Sequence, residues 1–166
     1  MLSDLARPMA AARDLALRRP EAPTLGPARR VFLHGDPVPA NAVAAPGGPC
    51  LVDWQCPALG DPVEDLALAL SPAMRALYGA RPLAAAAEAR ALAAYPDPEI
   101  RARYRALRAV HAWRLAAYCL WKASRGDTAY ARALPLELER LQRRSEPDPA
   151  PRGQRAGDEP PGRADG

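Results

Sequence analysis

The sequence predicts a mainly α-helical α+β fold, in which one small β-rich segment interrupts a succession of helices. Nearly half of the 166 residues are apolar, many of them alanine, and there is a single phenylalanine. A β-sandwich or barrel needs more β-branched and aromatic residues than this composition supplies. Short β-type runs occur only within residues 31–55, which also contain the chain's single asparagine.

Periodicity and capping residues define the elements in order. Apolar residues recur at helical spacing over residues 3–19, and closely spaced prolines then predict an extended connector to residue 29. Three β-type runs follow, and the turn sequence Pro46–Pro49 predicts a hairpin between the last two. From Asp61 the pattern is helical, because Asp61 can cap a helix that begins with Pro62.

The longest predicted helix spans about residues 98–125, with Asp97 as its cap and Gly126 as its end. Pro82 is expected to open the helix before it, and Pro135 a final turn or two. The apolar stripe of the long helix makes it the expected spine of the core. Its expected core residues are Ile100, Tyr104, Leu107, His111, Trp113, Leu115, Tyr118 and Trp121.

These elements predict three parts: a lead-in helix and connector (1–29), a folded domain (30–144) and a tail (145–166). The tail contains no large apolar residue and is predicted to be disordered. Residues 31–97 carry a net charge of −4, which suits a cation, and residues 98–144 carry +7. The basic residues lie on predicted helices without a nucleic-acid motif, so we expect a solvated surface and no nucleic-acid partner.

Three cysteines without C-x-x-C spacing indicate neither a disulfide framework nor a zinc site. The chain shows no signal sequence and no apolar run of membrane length, so a cytoplasmic location without a membrane partner is expected.

The β-rich segment contains the spacing H-x-D-x-x-x-x-N, formed by His34, Asp36 and Asn41, and Asp53 follows an apolar run. Taken alone, an aspartate before a proline is most often a turn residue, and a histidine beside a glycine is most often structural. Phosphoryl transfer, however, has a use for the ordered set. One carboxylate can accept the proton of an attacking hydroxyl, while an amide oxygen and a second carboxylate are hard ligands for Mg²⁺.

The string VFLHGD, then N, LVDWQ and GDPVEDLA, resembles the aminoglycoside phosphotransferase and choline kinase family over roughly residues 30–70. The resemblance implies the C-terminal lobe of a protein-kinase-like fold, with a small β-hairpin that carries the catalytic loop. It implies that Asp36 is the catalytic base, that His34 braces the loop, and that Asn41 and Asp53 bind Mg²⁺ and thereby ATP. Asp61 and Asp65 are expected to cap a helix and tie it to the loop.

Three residues depart from the family's usual pattern: Pro37 and Ala40 stand where leucine and glycine are commoner, and Gln55 stands where glutamate is usual. The resemblance also implies an N-terminal lobe with a phosphate-covering loop and a lysine. The residues before VFLHGD predict only a helix and a connector, and the single lysine, Lys122, lies on a late helix. We therefore expect the N-terminal lobe to be absent, through truncation, gene decay or its presence on a separate partner chain.

The expected function is that of a Mg-ATP-dependent phosphotransferase that moves the γ-phosphate to a hydroxyl of a small molecule, weak or inactive as this chain. The alternative is a non-catalytic remnant of a kinase lobe that serves as a helical binding module. The sequence leaves the acceptor open among aminoglycosides, choline or ethanolamine, thiamine, sugars and other small alcohols.

Overall fold

The computed structural model describes residues 2–143, and the side chains from residue 9 onward. Within that range the chain is mainly helical, with short antiparallel strands, as predicted. The predicted disordered tail at 145–166 lies outside the described residues. The helices are α1 (Leu2–Leu17), α2 (Val63–Ala69), α3 (Pro72–Leu77), α4 (Ala85–Ala93), α5 (Pro98–Ser124) and α6 (Thr128–Gln142), and the strands are β1 (Val31–Leu33), β2 (Ala42–Ala45), β3 (Gly48–Leu51) and β4 (Ala58–Gly60).

The strands form two separate two-stranded sheets, so the prediction of one hairpin was incomplete. β2 pairs with β3 around the Pro46–Pro49 turn, which confirms the predicted hairpin. β1 pairs instead with β4, and Phe32 lies opposite Leu59. The sequence of β4, Ala-Leu-Gly, contains no β-branched residue, so strand propensity does not predict it. β4 forms because it pairs with β1. The loop between β1 and β2 therefore joins the two sheets.

Helix α5 is the spine of the core, as predicted, and supplies buried residues to all three apolar clusters. The first cluster connects it through Cys119 to α3, α6 and Val38, which lies in the loop after β1. In the second, Ile100 and Tyr104 pack against α2 and α4. In the third, Ala112 and Ala116 pack against α1 and α6. None of the described helices combines the length and apolarity that crossing a membrane requires.

The prediction of core residues on α5 is wrong for two of them, Tyr118 and Trp121. Tyr118 is 42% exposed and Trp121 is 51% exposed, and their rings contact each other at a centroid distance of 5.7 Å. The buried face of this half of α5 consists of Ala112, Ala116 and Cys119. Small side chains let two helices approach closely, so the large aromatic residues are displaced to the surface; a preference for large core residues therefore misplaces them.

The two helix-opening prolines also differ from expectation. α4 begins at Ala85, three residues after Pro82. Pro135 lies inside α6, which is continuous from the cap at Asp127, where the side chain accepts hydrogen bonds from the amides of Ala129 and Tyr130. A proline inside a helix removes one hydrogen bond and crowds the preceding turn. Here the buried face of α6 offsets that cost.

We expect Met74→Ala to lower the free energy of unfolding by about 2–5 kcal/mol, because it leaves a cavity in the cluster that holds Val38. The matched control is Met9→Ala on α1, where the side chain is exposed and a change within about 0.5 kcal/mol is expected. Urea unfolding measures both, and equal losses would contradict the assignment of this cluster as core.

His111 is buried on α5, and its Nε2 has no hydrogen-bond partner among the described residues. Burial, reinforced by the charge of Arg114, lowers the pKa of His111 to about 4. The unfolded chain then takes up a proton near pH 6.5 that the folded chain refuses, so stability is lost as the pH falls from about 6.5 to about 4.

The loss from His111 should be at most about 3 kcal/mol, and His111→Gln should remove it. Urea unfolding of both proteins across this pH range measures it as the difference between their pH profiles. Parallel profiles would show that His111 is not held neutral in the fold.

Candidate active site

The loop after β1 turns sharply at Gly35, whose φ is +81°. A Cβ at this position would lie 2.0 Å from the carbonyl oxygen of Cys56, so no other amino acid fits without displacing the backbone. Glycine therefore serves both the left-handed conformation and the close approach of the loop to the segment after β3.

Asp65, in the first turn of α2, holds the backbone of this loop. Its Oδ2 accepts a hydrogen bond from the amide of His34 at 2.8 Å, and its Oδ1 accepts one from the amide of Gly35 at 3.0 Å. Asp61 lies two residues before α2, which begins one residue later than predicted, and its Oδ1 accepts from the amide of Val63 at 3.1 Å. These contacts confirm the structural roles predicted for Asp61 and Asp65.

His34 connects the loop to the segment that carries Asp53. Its ring is buried; Nδ1 accepts from the amide of Asp36 at 3.2 Å, and Nε2 lies 2.9 Å from the carbonyl oxygen of Val52. The two contacts together require the hydrogen on Nε2, because Nδ1 must offer a lone pair. The ring of Trp54 lies against the same imidazole, at a centroid distance of 4.5 Å.

Asn41 contacts Asp36 directly. Its Nδ2 donates to the backbone oxygen of Asp36 at 2.9 Å and to its carboxylate at 3.2 Å. Asn41 ends a short 3₁₀ turn that begins at Pro39. Its backbone oxygen accepts from the amide of Val52 at 2.9 Å. The backbone of Asn41 thus binds the N–H of Val52, and the ring of His34 binds its C=O.

Asp53 follows Val52 directly and has a φ of +63°, the only positive value at a non-glycine residue among those described. Left-handed backbone at such a residue costs about 1–2 kcal/mol and persists where the surroundings enforce it, often at functional sites. Its side chain is exposed, and its carboxylate has no partner within the described part of the chain. The two bonds to Val52 hold the residue that immediately precedes Asp53.

The donor set fits a magnesium ion. Since the amide nitrogen of Asn41 is used by Asp36, its Oδ1 remains as a hard ligand, and the free carboxylate of Asp53 is a second. Magnesium in phosphotransferases binds one or two protein oxygens and completes its shell with water and phosphate oxygens. Among the described side chains, no group of three or more His, Cys, Asp or Glu residues is arranged to hold a metal ion.

The structure therefore brings together all four predicted site residues through the loop and Val52, although their chemical roles stay predictions. Sequence reasoning missed Arg103 of α5, which it counted among solvated basic residues. Arg103 lies 2.5 Å from Asp61 and donates to the carbonyl oxygen of Gly26 at 2.8 Å, so it fixes the start of α2 and the connector after α1. No periodicity marks such a pairing across 42 residues.

A protein-family model described as the phosphotransferase enzyme family (APH) matches residues 2–107. The match spans α1, both sheets, the loop and helices α2 to α4, and it ends within α5. Neither the curated proteins nor the solved structures contain a match to this chain.

We expect Asp65→Asn to lower the free energy of unfolding by about 1–3 kcal/mol, because one loop amide loses its acceptor. Glu64→Gln is the control: it removes an exposed charge from the same helical turn, and about 0.3–1 kcal/mol is expected. Urea unfolding measures the loss, and amide chemical shifts of His34 and Gly35 report its location. If these shifts move equally in both variants, Asp65 does not hold the loop.

Proposed function

The chain belongs to the phosphotransferase enzyme family, and from this premise we propose that it is a Mg-ATP-dependent kinase of small-molecule hydroxyls. In this proposal residues 30–144 form the C-terminal lobe of a kinase-like fold, and residues 1–29 lead into it. The observation that supports the proposal best is the hydrogen bond from Asn41 to the carboxylate of Asp36, beside the strained Asp53. It links the residue proposed as the base to one proposed magnesium ligand, and the backbone of Asn41 also binds Val52, the residue before Asp53.

Asp36 is the base in this mechanism. One of its carboxylate oxygens accepts from Asn41, which leaves the other to accept the proton of an acceptor hydroxyl. The hydroxyl oxygen forms a new bond to the γ-phosphorus as the bond to the β-phosphate oxygen breaks, and the proton passes to Asp36. The bond from the Asp36 amide to His34 orients the residue during this transfer.

Asn41 and Asp53 are the residues that would hold magnesium. A bound magnesium ion would neutralise charge that develops on the transferred phosphate. Because His34 and Asn41 fix Val52 on both sides, Asp53 is positioned before any ligand arrives. Preorganisation of this kind reduces the reorganisation needed during the reaction.

The alternative, a non-catalytic helical module, is favoured by the position of the single lysine. Lys122 lies near the end of α5, where it pairs with Asp127 at 3.7 Å and covers the ring of Tyr130. Its ammonium group is therefore engaged in these contacts, and in this alternative nucleotide phosphates would have to be held without it. We propose accordingly that nucleotide binding by this chain is weak.

Manganese with ATP tests the metal site, because Mn²⁺ replaces Mg²⁺ and broadens nearby NMR signals. We expect the amide signals of Asn41 and Asp53 to broaden first, and Asp53→Asn to weaken the effect about tenfold or more. Asparagine tolerates the left-handed backbone, so the variant removes charge while keeping the chain path.

Transfer of labelled γ-phosphate to a panel of small alcohols is the second readout. Asp36→Asn should slow it about 10²–10⁴-fold with the broadening unchanged. Broadening without transfer, in a folded chain, would favour the non-catalytic alternative. Absence of both would refute the proposed function.

A further inference from the structure

Two charged residues of α6, Glu137 and Arg140, are buried although they lie beyond the family match. They are one helical turn apart and both contact the junction between α2 and α3. Burying two charges is costly unless each is paired and hydrogen-bonded, so the arrangement needs a reason.

Glu137 binds the start of α3 and is fully buried, with 0% exposure. It accepts a hydrogen bond from the hydroxyl of Ser71, which itself caps α3 by accepting from the amide of Met74, and one from the amide of Ala73 at 3.2 Å. A carboxylate at this place also interacts favourably with the positive end of the helix.

Arg140 binds the end of α2. It donates to the carbonyl oxygen of Leu70 at 2.7 Å and to Glu88 of α4 at 2.6 Å, and it also contacts the hydroxyl of Tyr104. A cation beside the last carbonyl of a helix is favourable for the same electrostatic reason. One turn of α6 therefore supplies a hydrogen-bond acceptor to the start of α3 and a guanidinium donor to the end of α2.

Helix α2 is the element between this junction and the loop. The N-terminal end of α2, away from the junction, is held by the ion pair of Asp61 and Arg103. In the first turn at the same end, Asp65 accepts hydrogen bonds from the amides of His34 and Gly35. α2 has only seven residues, so Asp65 is separated from Leu70 at the junction by about 7.5 Å of helix.

We infer that Glu137 and Arg140 are positioning residues for the catalytic loop. They act through the α2–α3 junction and Asp65, and they make α6 part of the site. That the loop is catalytic rests on the proposed function, whereas the mechanical connection from α6 to the loop does not.

Amide hydrogen exchange of the full chain tests the connection. Glu137→Met removes the acceptor at similar volume, Glu137→Gln keeps an acceptor oxygen, and Glu139→Gln is the control on the exposed face of α6. We expect Glu137→Met to accelerate amide exchange at His34 and Gly35 about tenfold more than at Ala112 and Ala116 of α5. The amides of Ala112 and Ala116 report global opening. Glu137→Gln should keep the exchange rates at His34 and Gly35 within about threefold of those of the unaltered chain. The control Glu139→Gln should leave these rates unchanged.

Ser71→Ala serves if Glu137→Met does not fold, since it removes only the hydroxyl that donates to Glu137; the loop amides should again accelerate more than the α5 amides. Equal acceleration at both places would mean that Glu137 only stabilises the fold, and the inference would be wrong. Exchange requires no nucleotide, so its result stands apart from the manganese and transfer experiments.

Discussion

The carboxylate of Asp65 is the contact on which the candidate site depends, because it binds two consecutive amides of the loop that contains Asp36. A loop joining two small sheets has few backbone partners of its own, and each unpaired buried amide would cost about 1–3 kcal/mol. Asp65 supplies both acceptors from the positive end of α2, where a carboxylate is also electrostatically favoured. The bonds of His34 and Asn41 to Val52 then extend this order to Asp53.

Much of the site could be predicted because its residues lie close together in the chain. The spacing of His34, Asp36 and Asn41 fixes a short loop, and the capping chemistry of Asp61 locates the start of α2 within a residue or two. Local hydrogen bonds and local steric rules decide both, so a motif contains the information. The family match agrees with that interpretation over residues 2–107.

What could not be predicted depends on contacts between distant segments. β4 exists because β1 lies beside it, and Trp121 is exposed because small residues of α5 face α6. Arg103 and Arg140 look in the sequence like the other arginines of a basic region, and only the fold selects them for pairing. Pro135 stays within a helix because tertiary packing outweighs its local preference.

The left-handed backbone at Asp53 has a consequence for how the proposed function could be lost in evolution. An aspartate codon becomes an asparagine or a glycine codon by a single nucleotide change, and both residues accept this backbone conformation. Such a change would remove the charge that the proposed function assigns to magnesium binding, while the chain path stays as it is. Loss of the proposed activity through this position would therefore carry little penalty in folding.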